Sequence, residues 1–378
     1  MLTLQAPVSQ TFTARYGEGA TLFASPGRIN LIGEHTDYNG GFVFPGAVDK
    51  GIVAAIRPNG TAHVRLYSID MDEEVIFGLE EADKPTPSWA HYIFGVCRET
   101  IKRGGQVGGF DAVFAGNVPL GAGMSSSAAL ESTFAFALNE LFGCGFDRAE
   151  LARIGQSTEH NYCGVKCGIM DQFASVFGKQ GCLVRLDCRS MEHAYFPFDP
   201  QGYRLVLINS CVKHQLTGSP YNDRRLSCER VAQALGRELL RGATLEELEA
   251  IRSQISEEDY RRARYVIGEE QRVLGVCEAL EQGDYARVGR LMYETHWGLS
   301  RDYEVSCEEL DLLAEIAEQC GVTGSRMMGG GFGGCTINLV KEELYEPFIA
   351  TAKRQFEARY GITPLVYEVV ISDGARRL

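Results

Sequence analysis

The sequence lacks long apolar stretches and a basic, apolar leader. Residues 1–12 contain no lysine or arginine and no long apolar core, so the pattern of a secretory signal peptide is absent. No apolar run approaches the roughly 20 residues of a membrane-spanning helix, because charged residues, asparagine or glycine interrupt each one. We therefore expect a cytoplasmic protein without a membrane partner.

Positive charge is also in short supply. The 378 residues include 37 Lys and Arg against 50 Asp and Glu, which gives a formal net charge of −13. The resulting electric field repels polyanions, including nucleic acids and anionic membrane surfaces. We expect a small molecule as the partner and no nucleic acid.

Paired cysteines of the metal-binding kind are missing too. None of the 12 cysteines belongs to a CxxC pair. The closest pair, Cys163 and Cys167, has no second pair of cysteines or histidines at ligand spacing. In a reducing compartment these thiols stay reduced, and we interpret them as small apolar residues rather than zinc ligands.

The chain is long enough for two packed domains, and 45% hydrophobic with 23% charged residues is typical of a folded protein. Strand-like runs alternate with helical ones in the first half, whereas amphipathic helices follow residue 223. We predict an α+β protein with two domains, 1–200 and 201–378. The predicted strands are 21–24, 51–56, 63–68, 110–115, 182–189, 204–209, 336–340 and 365–371; the predicted helices are 127–143, 148–160, 224–240, 245–251, 258–280 and 286–293.

A glycine-rich loop leads into the helix predicted from Ser127. Residues 118–132 read VPLGAGMSSSAALES, in which Gly121 and Gly123 let a bulky group approach the backbone. A helix N-terminus carries about half a positive elementary charge and unpaired N–H groups. We interpret the junction as a phosphate cradle, against the alternative of a turn capped by one serine. It is not a Walker A loop, since GxxxxGK[ST] does not occur.

A second glycine cluster, at residues 324–340, reads GSRMMGGGFGGCTINLV and contains GxGxxG at Gly329, Gly331 and Gly334. A dinucleotide-binding fingerprint needs a helix after it, whereas a strand-like run follows here. Two interpretations stay open: a glycine-rich loop or bulge, or backbone that closes over a ligand.

Polar side chains concentrate in residues 25–41, SPGRINLIGEHTDYNGG, where Arg28, Glu34, His35 and Asp37 stand among glycines. Donors beside carboxylate acceptors suit a polyhydroxylated ligand, because each hydroxyl both donates and accepts. A solvated, salt-bridged surface turn explains the same composition equally well.

A further segment, residues 157–173, reads STEHNYCGVKCGIMDQF and holds Glu159 and Asp171 among small and apolar residues. Mg²⁺ prefers oxygen ligands, so Glu159, a serine hydroxyl and nucleotide phosphates would make a suitable site. Asp171 is a candidate base, although the residue pattern by itself favours a helix N-cap there.

Three of these segments, in this order, resemble the motifs of the GHMP small-molecule kinases, and the similarity extends over essentially the whole chain. GRINLIGEHTDYNGG is similar to the signature of the members that phosphorylate galactose. PLGAGMSSSAAL resembles the phosphate loop, with Met124 where leucine is usual, and GGGFGGC resembles the third motif. The resemblance implies ATP-dependent phosphorylation of α-D-galactose at its anomeric hydroxyl. It also implies an N-terminal domain like domain 2 of ribosomal protein S5 and a ferredoxin-like C-terminal domain, with the active site between them.

The resemblance further implies roles for single residues. Asp171 matches the proposed catalytic base, and Arg28 matches the residue that activates it or stabilises the transition state. Because the two would pair, Asp171 would act mainly by alignment and electrostatics. The implied sugar contacts are Glu34, His35, Thr36, Asp37, Gly168 and Tyr221; the implied nucleotide contacts are Ser68, Trp89 against adenine, Gly121, Ala122, Gly123, Met124, Ser125, Ser126 and Ser127; the implied Mg²⁺ ligands are Ser127 and Glu159.

Alternatives to this function stay open at the level of sequence. Some relatives in this family bind sugar and ATP as sensors without useful catalysis and lack residues just after the serines, whereas Ala128 and Ala129 are present here. Sister kinases for N-acetylgalactosamine, arabinose, mevalonate or homoserine share the phosphate loop, although those for mevalonate and homoserine lack the EHTDY run. Discrimination between galactose and its 2-acetamido analogue depends on the room around C2 of the sugar. We expect a monomer.

Overall fold

The chain alternates strands and helices as an α+β protein, which confirms the predicted fold class. The computed structural model describes residues 1–119, 121–213 and 219–378. The strands are β1 Thr21–Asn30, β2 Phe42–Val43, β3 Pro45–Pro58, β4 His63–Ser68, β5 Glu73–Gly78, β6 Phe110–Gly116, β7 Cys182–Asp187, β8 His193–Pro197, β9 Tyr203–Lys213, β10 Gly324–Met328, β11 Gly333–Lys341, β12 Leu365–Glu368 and β13 Arg376–Arg377. The helices are α1 Gln5–Tyr16, α2 Ala90–Lys102, α3 Ser126–Phe142, α4 Arg148–Thr158, α5 Met170–Phe177, α6 Ser219–Ala234, α7 Leu245–Ala250, α8 Glu257–Glu281, α9 Tyr285–Arg301, α10 Glu308–Gln319 and α11 Tyr345–Tyr360.

The described strands form three sheets. The first has the order β13-β1-β3-β6-β4-β5 and is antiparallel except where β4 runs parallel to β6. The second has the order β10-β11-β9-β12, and the third the order β2-β7-β8; both are antiparallel throughout. The hairpin from β10 to β11 carries the second glycine cluster at its turn, so these glycines connect strands rather than a strand and a helix.

Apolar side chains of the described residues form three large cores and a smaller one between α1 and the first sheet. The first lies between the first sheet and α2 to α5, and the second lies between the second sheet and the later helices. The third joins distant parts of the chain: Ile29 and Leu31 of β1 and its continuation, Met124 of the glycine loop, Val273 of α8 and Met328 of β10. This joint core packs the glycine loop against β10, next to the cavity described below.

Several local predictions hold to within a residue or two. The strand at 63–68 is confirmed. Helix α3 begins one residue before the predicted helix and ends at Phe142, directly before Gly143, whose φ of 62° lies in the left-handed region. The helix predicted at 224–240 is too long, because α6 ends at Ala234 and Gly236, with φ of 68°, breaks the helical conformation. Strand β10 was not predicted.

The predicted domain boundary at residue 200 falls in the turn between β8 and β9 and stays a prediction. The late strand β13 pairs with β1 of the first sheet, with Ala24 opposite Arg376. Within the described ranges, no helix is both long enough and apolar enough to cross a membrane.

Replacing Asp147 tests how firmly the helix that leads to the site is anchored. Its side chain caps α4 by accepting a hydrogen bond of 2.7 Å from the Glu150 N–H. We expect Asp147→Ala to lower the free energy of unfolding by about 1 kcal/mol, because an orphan donor loses its partner. Urea unfolding measures the change. The matched control, Asp147→Asn, keeps a cap and should stay within a few tenths of a kcal/mol; equal losses in both variants would contradict the capping role.

Candidate active site

A cavity of about 830 Å³ brings the three motifs together. Its wall comes from the polar loop after β1, the glycine loop before α3, the segment from Glu159 to Asp171, the start of α6, and the turn of the β10–β11 hairpin. These segments are far apart in sequence. The sheets and the joint core bring them together in space.

Glu34 lies on the cavity wall with only 2% of its surface exposed. Its Oε1 accepts a hydrogen bond of 3.0 Å from Nη2 of Arg326 and one of 2.9 Å from the N–H of Gly329. A buried carboxylate is costly without such hydrogen-bond partners. The polar loop is thereby tied to β10 and to the second glycine cluster.

His35 faces the same cavity in a left-handed conformation, with φ of 63°. Burial lowers the pKa of His35 to about 3, so the imidazole is neutral. Its Nδ1 lies 2.7 Å from the Tyr38 hydroxyl, which lies 2.7 Å from the Tyr303 hydroxyl. The ring of Tyr221 packs on that of His35, with centroids 5.6 Å apart. The aromatic residues fix the orientation of the imidazole.

Asp37 is half-buried beside Gly168. A Cβ at Gly168 would lie 1.8 Å from Oδ2 of Asp37, so only glycine leaves room for this carboxylate. Burial, followed by the nearby charge of Asp171, raises the pKa of Asp37 to about 7. The Tyr38 N–H donates to Oδ1 at 2.9 Å and favours the ionised form.

Arg28 and Asp171 form a two-pronged ion pair at the centre of the cavity. Nε donates to Oδ1 and Nη2 donates to Oδ2, each at 2.7 Å. Nη1 donates to the carbonyl of Gly123, which links the pair to the glycine loop. Although burial works against it, the charge of Asp171 raises the pKa of Arg28 above its usual value. Asp171 lies in the first turn of α5 and Ile169 precedes the helix, so the predicted N-cap role is wrong.

The glycine loop enters α3 through left-handed residues. Gly121, Gly123 and Ser125 have φ of 72°, 68° and 54°. Ser125 precedes the helix but makes no capping hydrogen bond with its side chain. The N-terminus of α3 therefore presents its N–H groups and nearby hydroxyls at the cavity, as an anion-binding site requires.

Glu159 begins a π-helical turn, Glu159–Cys163, that continues α4. Burial raises the pKa of Glu159, and a hydrogen bond with the Ser127 side chain offsets part of that rise. Within the described ranges, no cluster of three or more Asp, Glu, His or Cys could by itself hold a metal. One carboxylate beside one hydroxyl fits Mg²⁺, which takes its other ligands from water and phosphate.

The turn of the β10–β11 hairpin forms one wall of the cavity. A Cβ on Gly331 would lie 2.2 Å from the Val305 carbonyl, and one on Gly123 would lie 3.2 Å from the Met328 carbonyl. Because glycine permits these approaches, the hairpin packs directly on the glycine loop. The cluster is thus a glycine-rich hairpin turn that lines the cavity, and the interpretation that its backbone covers a ligand stays a prediction.

The structure brings most of the candidate residues together, and six lie off the cavity wall. Those on the wall are Arg28, Glu34, His35, Asp37, Gly121, Gly123, Ser125, Ser127, Glu159, Gly168, Asp171 and Tyr221. Those off the wall are Thr36, Ser68, Trp89, Ala122, Met124 and Ser126. Nε1 of Trp89 donates to Glu73 at 2.8 Å and its ring packs on Phe114. The Thr36 hydroxyl instead bonds to the carbonyl of Phe42 at 2.6 Å.

Sequence reasoning missed Arg326 and Tyr303. Arg326 is fully buried and bonds to Glu34, and Tyr303 completes the hydroxyl chain behind His35. The signal available for Arg326 was a single arginine, followed by two methionines, directly before a glycine cluster. Tyr303 stands in an ordinary helix-to-loop segment and gave none.

Comparison with known proteins matches three family descriptions to this chain. Residues 10–58 match the galactokinase galactose-binding signature, residues 91–179 match the N-terminal domain of GHMP kinases, and residues 277–356 match their C-terminal domain. The galactokinase of Homo sapiens is 43% identical over 99% of this chain and 97% of its own length. That of Thermosipho africanus is 39% identical over 94% and 99%.

Solved structures show the same similarity. Lactococcus lactis galactokinase complexed with galactose matches with a TM-score of 0.95 at 35% identity, covering 100% of both chains. The mevalonate kinase of Methanococcus jannaschii matches with a TM-score of 0.66 at 16% identity, over 94% of this chain and 99% of its own, which shows a shared fold alone.

The unusual titration of Asp37 predicts a pH-dependent effect on stability. Burial raises the pKa of Asp37 from 3.8 to about 7, so between roughly pH 4 and 7 the native state holds a proton that the unfolded chain has lost. Stability therefore falls as pH rises through this window, and above it the ionised carboxylate destabilises the native state in full. We expect Asp37→Asn to raise the thermal midpoint of the ligand-free protein more at pH 8 than at pH 5. Calorimetry at both pH values checks this; an equal effect at both would contradict it.

Proposed function

Because this chain belongs to the galactokinases of the GHMP kinase family, we propose that it transfers the γ-phosphate of ATP to the anomeric hydroxyl of α-D-galactose, giving α-D-galactose 1-phosphate and ADP. One observation carries the proposal. Arg28, Glu34, His35 and Asp37 all lie in the stretch that matches the galactose-binding signature, and they meet Asp171 in one cavity.

The sugar binds through the polar loop and the residues opposite it. The Glu34 carboxylate accepts hydrogen bonds from hydroxyls, and neutral His35 and protonated Asp37 can accept or donate. Gly168 leaves space beside Asp37, and Tyr221 covers the imidazole. Thr36 acts from behind the loop by holding its backbone.

The nucleotide phosphates bind at the glycine loop and the N-terminus of α3, where N–H groups and the helix dipole favour negative charge. The contacting residues are Gly121, Ala122, Gly123, Met124, Ser125, Ser126 and Ser127. Met124 and Ala122 contribute backbone, since their side chains are buried in the joint core. The assignment of Ser68 and Trp89 to the base is supported by the family resemblance alone.

Ser127 and Glu159 would hold the Mg²⁺ of the nucleotide. When bound, the ion neutralises charge on the β- and γ-phosphates. The Ser127 hydroxyl and the buried Glu159 carboxylate are already in contact, so both ligands are placed before the nucleotide arrives.

The chemistry needs an aligned acceptor and a place for its proton. Asp171 uses one lone pair on each oxygen for Arg28, so a second lone pair stays available for the anomeric hydroxyl. The hydroxyl oxygen bonds to the γ-phosphorus, the bond to the β,γ-bridging oxygen breaks, and the proton passes to Asp171. Arg28 holds Asp171 in place and offsets charge that develops during transfer.

Described residues of a single chain line the cavity, and we propose a monomer as the active form. Residues from both sides of position 200 line it, which supports two domains, 1–200 and 201–378, that meet at the active site.

A panel of sugars tests the proposed function. Purified protein with ATP and Mg²⁺ should release ADP fastest with galactose, compared with N-acetylgalactosamine, arabinose and glucose in a coupled assay. A clear preference for another sugar would overturn the substrate. Binding of galactose and ATP by calorimetry without ADP release would identify a sensor instead of an enzyme.

Asp171→Asn tests the role of the central carboxylate. The amide keeps the size of the side chain but cannot take the proton or balance Arg28, so we expect kcat to fall by about 10²–10⁴-fold with ATP binding retained. Asp199→Asn, at an exposed turn, is the control and should keep wild-type turnover. A near-normal kcat in Asp171→Asn would remove Asp171 from the proton transfer.

A further inference from the structure

Arg326 is a charged side chain buried completely between two halves of the chain. It lies in β10, and each of its hydrogen bonds goes to an oxygen. Nε donates to the carbonyl of Leu31 at 2.8 Å, Nη1 donates to that of Met327 at 2.6 Å, and Nη2 donates to that of Asn30. Nη2 also donates to Oε1 of Glu34 at 3.0 Å.

Three of these four acceptors belong to one short segment, residues 30–34, that carries the start of the polar loop. A guanidinium is a rigid, planar fork, so several bonds fix the acceptors relative to one another. Arg326 therefore sets both the path of this backbone and the direction of the Glu34 side chain. A single backbone bond could set the path but would leave the carboxylate free to rotate.

The two oxygens of Glu34 are used differently. Oε1 accepts from both Arg326 and the Gly329 N–H, whereas Oε2 has no hydrogen bond in the part of the chain that the structure describes. Glu34 lines the cavity. Oε2 is thus available to a ligand hydroxyl, whereas Oε1 is occupied by protein donors.

A second group holds the same loop without touching the carboxylate. The Tyr265 hydroxyl of α8 donates to the backbone carbonyl of Glu34 at 3.1 Å. Tyr265 is also buried. It offers a matched comparison, because it supports the position of the loop but not the direction of the carboxylate.

We infer that Arg326 is a positioning residue for sugar recognition, which acts by holding Oε1 of Glu34 so that Oε2 meets one hydroxyl of the sugar. The inference rests on the proposed function, since it assigns a purpose to Glu34 in that site. A purely structural arginine would stabilise the fold and leave discrimination among sugars unchanged.

Monodeoxy analogues of galactose separate the two roles. Each analogue lacks one hydroxyl, and kcat/KM relative to galactose gives the penalty for its loss. Glu34→Gln identifies the hydroxyl that Glu34 binds, because the penalty for that analogue shrinks. We expect Arg326→Lys to raise KM for galactose about 10- to 100-fold, in keeping with a lost charged hydrogen bond, and to shrink the penalty for the same analogue. The double variant should lose little more than either single variant.

Controls make the outcome decisive. Tyr265→Phe should lower the thermal midpoint but keep every penalty. If Arg326→Lys fails to fold, Arg326→Gln gives a second test, because its amide can still donate to a backbone carbonyl but cannot make the charged hydrogen bond to Glu34, and it should shrink the same penalty. Unchanged penalties in a folded Arg326 variant would overturn the inference. Failure of the wild-type protein to phosphorylate galactose would instead overturn the proposed function.

Discussion

The guanidinium groups of Arg28 and Arg326 let four carboxylates share one cavity. The carboxylates are Glu34, Asp37, Glu159 and Asp171. Like charges in a poorly solvated space repel strongly, and the whole chain already carries a net charge of −13. Each arginine pairs with one carboxylate, while burial raises the pKa values of the other two, Asp37 and Glu159. The cavity is therefore much less negative than its four acidic residues imply. A polyphosphate can enter it although the net charge of the whole protein repels anions.

Backbone atoms of the two glycine segments make several of the contacts that hold the cavity together. The glycine loop and the β10–β11 hairpin approach so closely that a Cβ on Gly123 would crowd the Met328 carbonyl. The carbonyl of Gly123 accepts from Arg28, and the N–H of Gly329 donates to Glu34. The two glycine segments thus connect the ion pair of Arg28 and Asp171 with Glu34 of the polar loop through short main-chain contacts.

Much of the local structure could be predicted from the sequence, because its signals are local. Turn residues and alternating apolar residues define β4, and apolar spacing with a terminal glycine defines α3. The motifs identified Arg28 and Asp171 as a pair although they are 143 positions apart. Arg326 escaped because its role depends on Glu34, 292 positions away. Trp89 was assigned to the nucleotide by resemblance, yet its environment is set by Glu73 and Phe114, which no local pattern reveals.

Strand β13 has a consequence for how the protein is made. Arg376 and Arg377 pair with Ala24 and Phe23, so this part of the edge of β1 is covered by residues synthesised about 350 positions later. Until the ribosome has delivered them, β1 presents an open edge, and open strand edges can pair with other chains. Since β1 also carries Arg28, the strand that supports the central ion pair gains its last neighbour only when synthesis has passed residue 377.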